Sequence, residues 1–365
     1  MTNHPGRLIS LDAMRGFTIA AMITVNFPGH GDFVYGPLNH SRWNGLSFTD
    51  LIAPFFLFVV GVSIVFAYSR RLAEGIPPRA MYQKIVVRSV KIFAVGMFLN
   101  LLPDFDFSDV RWTGTLHRIA VVFLVCAFLY LHSSWKQQAR IGFLTLIAYW
   151  LAMTLIPTPG IGEVVLEPGV NLAAWVDQQF LPGTMWQGTW DPEGILSTFP
   201  AIVTGITGML AGHLLLSEGT PNEKVNYLFG LGLLSAIAGY LWGLTFPVNE
   251  NLWTSSFVLV TSGMAAMVLG ASYFAIDILN RQGGTRPGVI LGANAITVYV
   301  LADILALLFY GLKIGGQTLN EAAVQGMIAL GLVPKLASML YALFFTTVNF
   351  LPAYILYKKK IFIKL

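Results

Sequence analysis

Cysteine is nearly missing from this 365-residue chain, and its one copy, Cys126, sits in an apolar run. Disulfides within the chain and cysteine-based zinc sites are thereby excluded. Charge is scarce as well: Asp, Glu, Lys and Arg make up 11% of the residues, against about 25% in soluble domains. Length alone would suggest two or three soluble domains, but no polar linker separates the apolar runs, and the simpler reading is one domain over residues 1–365. No GxGxxG or P-loop follows a strand pattern, so any nucleotide-bearing ligand has to be held by helices. No cleavable signal pattern opens the chain, and its first apolar span is expected to be retained. Nor is there an internal repeat of the kind many secondary transporters carry.

Apolar residues, at 55%, are what the chain has in excess. They fall into about ten runs long enough to span a bilayer, near residues 8–27, 48–68, 86–102, 116–132, 140–157, 194–216, 226–246, 254–277, 288–311 and 336–357. The expected fold is all-α, a polytopic membrane helical bundle of about ten transmembrane helices. Lys and Arg divide unevenly: about sixteen fall at the N-terminus, the even-numbered loops and the C-terminal tail, and about four in the other loops. By the positive-inside rule both termini face the cytosol, as does the most basic stretch, Arg70 to Lys91. The longest connection, residues 158–193, lies on the other side and holds Glu163, Glu167, Asp177, Asp191 and Glu193 without a Lys or Arg. Trp43, Trp112, Trp186, Trp190 and Trp253 share that side, where indoles either anchor the membrane interface or stack on a ligand ring.

Polar groups concentrate in residues 7–61, which read RLISLDAMRGFTIAAMITVNF, a loop holding PLNHSRWNG, then LSFTDLIAPFFLFVVG. Asp12 and Arg15, three residues apart, share a helix face and can neutralise each other. Asn26 lies eleven residues beyond Arg15, roughly 16 Å along a helix axis, in the other half of the membrane. Ser47 and Asp50 have the spacing of a capping box that opens the second span, which puts His40 just outside it. Arg118, His117, Asn294 and Asp303 also lie within apolar spans. Paired charges that fix helix register would account for such groups, and so would a ligand. Gly208-x-x-x-Gly212 reads as close helix packing. His4, His30, His132 and His213 have no pattern around them. His30, His40 and Asp32 lack HxxxH or HxH spacing, and no metal is expected.

The pattern SLDxxRG, then MxxVN, then HxxWNGL ahead of a Leu- and Phe-rich span, resembles the heparan-α-glucosaminide N-acetyltransferase family of transmembrane acetyltransferases. The likeness continues in DPEGILSTFPAI (Asp191 to Ile202), PVNENLW (Pro247 to Trp253) and GANAITVYV (Gly292 to Val300), four blocks in one order. With about ten residues ahead of the first span, the chain looks like a minimal, bacterial-type member without the family's extracytosolic N-terminal domain. By analogy it is expected in the bacterial inner membrane as a homodimer.

The resemblance implies that acetyl-coenzyme A enters from the cytosol and that its acetyl group reaches an acceptor at the outer face. It makes His40 catalytic and Asn26 an active-site residue. Arg15, Arg118, His117 and Asn294, with the basic stretch, are then assigned to the donor and its phosphates. Trp43, Asn44, Asp50, Asp191, Glu193 and Asp303 are assigned to the acceptor, an amino sugar of a glycan or another amine or hydroxyl, which an acidic outer surface would attract if cationic. Capping of the following helix is an equal reading for Asp191 and Glu193. Acetyl transfer needs a base for the attacking amine and a hydrogen-bond donor for the developing oxyanion, and one imidazole with one amide suffices. A ping-pong route through acetylated His40 stays open. The implied partners are coenzyme A, the acceptor and the lipid bilayer, with no nucleic acid. The alternative class is a secondary transporter or flippase of a sugar or related solute, which would show the same spans and buried charges.

Overall fold

The computed structural model describes residues 8–102 and 105–363; Arg7, which opens the first motif, lies outside them. The described residues form helices α1 (Ile9–Asn26), α2 (Ile52–Ala73), α3 (Arg79–Leu101), α4 (Thr115–His132), α5 (Trp135–Leu155), α6 (Leu172–Phe180) and α7 (Ile195–Leu216). Helices α8 (Pro221–Trp242), α9 (Ser255–Ser272), α10 (Arg286–Ala293), α11 (Ala295–Ala306), α12 (Leu319–Ala329) and α13 (Pro334–Lys358) follow. A two-stranded antiparallel hairpin, β1 (Lys313–Ile314) and β2 (Gln317–Thr318), precedes α12. The fold is all-α apart from that hairpin.

Local chemistry sets where the helices begin. Ser134 with Gln137, Thr220 with Glu223 and Thr318 with Glu321 are reciprocal capping boxes that open α5, α8 and α12. Each satisfies two main-chain donors that the first helical turn would otherwise leave unpaired. Asn171 and Thr254 cap α6 and α9 through single side-chain bonds.

Seven helical segments among the described residues are long and apolar enough to cross a membrane, and α10 with α11 makes an eighth if that pair, bent by 82°, is one span. Helices α1 and α3, at 18 and 23 residues, have spanning length. Their hydropathy is lowered by Asp12 and Arg15 in one and by Arg79, Lys84, Arg88 and Lys91 in the other. Counting both gives the ten spans read from the sequence. The ninth differs in kind: the apolar run over 288–311 is two helices broken at Asn294, because hydropathy reports composition and not axis direction. Helices α6 and α12 lie in connections that the span pattern leaves blank.

The chain divides into two compact units. The first comprises Ser41–Leu46 and Ala53–Phe274. In it α7 packs on α4, α5 and α9, α3 on α4, and α8 on α9. Glycines make the closest crossings: a methyl group at Gly61 would overlap the Gly205 carbonyl, and one at Gly208 would overlap that of Phe58. Gly208 and Gly212 thus serve the packing expected of them. The second unit comprises Leu8–His40, Ser47–Ile52 and the chain from Ala275 onward. There α1 crosses α10 through Gly16, Gly288 and Gly292 and packs on α13, to which Thr24 is bonded through Thr346 (2.9 Å).

Candidate active site

In the second unit α1 is anchored at its start by Asp277, whose carboxylate accepts the N–H groups of Ile9 (3.0 Å) and Ser10 (3.1 Å). The helix ends on Asn26, which is exposed. The chain then turns along α12 and α13: the Gly29 carbonyl accepts from Asn320, and His30 N–H donates to Ser338 Oγ. His30 is used inside this turn, stacking on Phe33 while its Nδ1 accepts from Asp32 N–H. A pocket opens here, walled by Thr24, Val25 and Pro28 at the end of α1, by Tyr35 and Leu38 of the loop, and by Lys335 of α13.

His40 closes the loop. Its Nδ1 lies 2.9 Å from Asp50 Oδ1, and the imidazole is 57% exposed while the carboxylate has no exposed surface. The other oxygen of Asp50 accepts Ser47 N–H at 2.7 Å, and Asp50 N–H points back to Ser47 Oγ at 3.4 Å. This is the expected capping box, opening a 3-10 turn, Thr49–Leu51, that runs into α2. Its acid does a second thing. A carboxylate accepting at Nδ1 selects the tautomer that leaves the basic lone pair on Nε2, the arrangement a general base needs. Asp50, which the sequence assigns to the acceptor, is bonded on one oxygen to His40 and on the other to Ser47.

In the first unit three of the motif blocks are clasped together. Trp43 packs edge-on against Trp190 (5.1 Å between centroids) and donates Nε1–H to the Leu166 carbonyl at 3.0 Å. Asn44 Oδ1 accepts from Asn249 Nδ2 at 3.0 Å, and Gly45 N–H donates to the Val248 carbonyl at 2.8 Å. Gly45 has φ +125°, a conformation other residues adopt only with strain. Trp43 and Asn44 thus hold the loop to the DPEG and PVNENLW segments.

Asp191 is the centre of a charged lattice. It receives both N–H groups of Arg111 (2.7 and 2.6 Å), the Thr113 hydroxyl, and the main-chain N–H groups of Trp186 and Glu193. Arg111 also binds Glu193 Oε2 at 2.6 Å. Burial pushes the Asp191 carboxyl up, but the Arg111 hydrogen bonds and charge outweigh it and hold the group below the usual carboxylate range. Nearby Asp177 caps α7 through Ile195 N–H at 2.8 Å. Burial pushes its carboxyl up to about 6. With its lone pairs taken, Asp191 has no capacity for an acceptor amine; Glu193, 22% exposed, retains some.

The residues assigned to the donor divide between the two units. Arg118 is buried in the first turns of α4, donating to the Pro192 carbonyl (2.7 Å) and to Ser197 Oγ, with its guanidinium 4.8 Å over the Trp253 ring. It joins the DPEG segment, not the basic stretch at 70–91, because α4 starts from the loop that carries Arg111. His117 is also buried, edge-on to Phe93, and neither ring nitrogen has a partner among the described residues. In the second unit Arg15 pairs with Asp12 at 3.3 Å and reaches the Gly292 carbonyl at 3.5 Å. Asn294 gives both ends of its amide to the C-terminal segment, donating to the Ile361 carbonyl and accepting Ile363 N–H. Asp303 is half-buried in α11 and has no ion pair among the described residues.

Arg111 is the residue that sequence reasoning missed. Its signal was partial: an arginine on the side poor in basic residues has to find an acid, but Asp106 and Asp109 of its own loop compete in the sequence with the acids of the 158–193 connection. Asn249 was visible only as a letter of PVNENLW.

The family model for the catalytic region of heparan-α-glucosaminide N-acetyltransferase matches residues 7–240. Among curated proteins, the heparan-α-glucosaminide N-acetyltransferase of Mus musculus is 29% identical, covering 98% of this chain and 60% of the relative. That of Homo sapiens is 30% identical, covering 99% and 60%. The chain thus spans about three fifths of the length of the curated relatives it matches.

Proposed function

The chain belongs to the heparan-α-glucosaminide N-acetyltransferase catalytic family, and from that premise we propose that it is a transmembrane acetyltransferase moving an acetyl group from acetyl-coenzyme A to the amine of an amino sugar. The observation that carries this reading is the His40–Asp50 pair, an exposed imidazole held at Nδ1 by a buried carboxylate at the mouth of a membrane helix. In the reaction the acceptor nitrogen attacks the thioester carbonyl, and His40 Nε2 takes the proton that the nitrogen sheds. As the tetrahedral intermediate collapses the C–S bond breaks, and the proton passes to the departing thiolate. Asn26, exposed at the end of α1 in the same unit as His40, supplies an amide N–H for the oxyanion.

The donor enters from the side of the basic 70–91 stretch, which the distribution of Lys and Arg puts in the cytosol with both termini. His40 then faces outward, in a bacterial inner membrane, and the protein works as a homodimer.

A solute transporter or flippase is the second reading, favoured by the helix broken at Asn294, since discontinuous spans build many transport sites. One assay separates the two. Purified protein given acetyl-coenzyme A and glucosamine should release coenzyme A only when acceptor is present, and His40→Ala should abolish the release while remaining folded. Donor binding without release would mean that glucosamine is the wrong acceptor. Solute flux in vesicles without any acetyl donor would put transport in its place.

A further inference from the structure

The five outer tryptophans are treated differently by the fold. Trp253 is buried and donates its Nε1–H to Thr204 Oγ1. Trp43 and Trp190 pack on each other, with Trp43 bonded to the loop. Trp186, by contrast, is 66% exposed. Its position is nonetheless fixed twice: its main-chain N–H donates to Asp191 Oδ2 at 3.0 Å, and the Arg111 guanidinium lies 5.1 Å from its ring centroid. That guanidinium is itself clamped by Asp191 and Glu193. The result is an indole with a cation over its ring and most of its surface exposed, tied through its main chain to the Asp191 carboxylate.

We propose that the exposed indole of Trp186 is a stacking platform for a hexosamine ring of the acceptor, with Glu193, bound to the same guanidinium, offering its carboxylate to the ammonium or hydroxyl groups of that ring. The identification of the sugar as acceptor rests on the amino-sugar reading above. One face of a pyranose carries axial C–H groups whose weakly positive hydrogens suit the negative face of an aromatic ring. A rigid mounting avoids the ordering cost that a mobile side chain would add on binding. Asp191 then acts as the positioning residue for the platform, holding both Trp186 and Arg111.

The test uses full-length protein in lipid nanodiscs and a short β-linked glucosamine oligosaccharide as probe. Its affinity is read by calorimetry, and the acceptor KM by coenzyme A release. Trp186→Ala should weaken probe binding and raise acceptor KM by roughly three- to tenfold, with kcat and the KM for acetyl-coenzyme A unchanged. Trp186→Phe should recover most of the loss, and Trp135→Ala, removing an exposed indole at the start of α5, should change nothing. Unaltered probe affinity in Trp186→Ala overturns the proposal. So does quenching of the wild-type emission by brominated lipids that disappears in Trp186→Phe, because the indole would then sit in the bilayer as an interface anchor. Probe binding that depends on Trp186 in a protein that transfers no acetyl group would uphold the platform and sink the transferase. Transfer with an unchanged acceptor KM in Trp186→Ala would do the reverse.

Discussion

Asp50 and Asp191 both stand just ahead of a membrane helix with no exposed side-chain surface, and they are used in opposite ways. A carboxylate out of water needs a compensating partner, and removal of that partner is costly. Asp191 is compensated by a guanidinium that stays charged at any physiological pH, together with a hydroxyl and two main-chain N–H groups, so its environment is closed. Asp50 is linked to an imidazole that is more than half exposed and can gain or lose a proton. The same side chain, equally buried, is closed in by a fixed cation in one unit and bonded to an exposed imidazole in the other. What distinguishes them is the chemistry of the partner.

The contrast can be attacked at its strongest point first. His40→Gln, which keeps an N–H donor for the buried Asp50, should lower acetyl transfer by about 10²- to 10⁴-fold without a large fall in the thermal melt of the detergent-solubilised protein. A large fall in melting temperature would make His40 structural and erase the contrast. Asp191→Ala should do the converse, destabilising the fold by about 2–4 kcal/mol by taking from the part-buried Arg111 its bidentate partner and leaving it Glu193 alone; turnover per folded molecule would change little at saturating acceptor. Asp50→Asn keeps the shape of the capping box but loses the charge beside His40. Transfer should fall roughly a hundredfold, and a drop confined to acceptor KM would return Asp50 to the role of an acceptor contact.

A smaller effect separates Asp191 from its neighbour Asp177. The folded pKa of Asp191 is depressed, so its contribution to stability is present above the ordinary carboxylate range and lost as pH falls through the folded value. Asp177, raised from 3.8 to about 6, has the other sign: its contribution is present below pH 3.8 and lost as pH rises through about 6. Asp177→Asn keeps an acceptor for Ile195 N–H and removes the buried charge. It should stabilise the protein by about 1–3 kcal/mol near pH 7.5 and progressively less toward pH 4. An equal gain at both pH values would mean that charge is not the cause.

Much of this was readable from the sequence, and the unread part has physical reasons. The ten spans follow from long apolar runs, and the Ser47–Asp50 box and the Asp12–Arg15 pair follow from spacing, because each depends on neighbours in the chain. The Thr318–Glu321 box, which opens α12, has the same spacing but went unread, because no long apolar run follows it to mark a span. The bend at Asn294 was not, since a continuous apolar run looks the same whether its axis is straight or broken. The site residues divide along the same line. His40 and Asn26 stand out by motif. The partners of Asn44, Asp191 and Asn294 lie 205, 80 and 67 residues away, where no local pattern reaches.

Helices α2 and α7 meet backbone to backbone, with Gly61 against the Gly205 carbonyl and Gly208 against that of Phe58. At these two crossings backbone meets backbone, and no side-chain rotamer is there to adjust if one helix rolls on the other. A motion that widens the first unit meets less resistance along a seam of side chains than along this one.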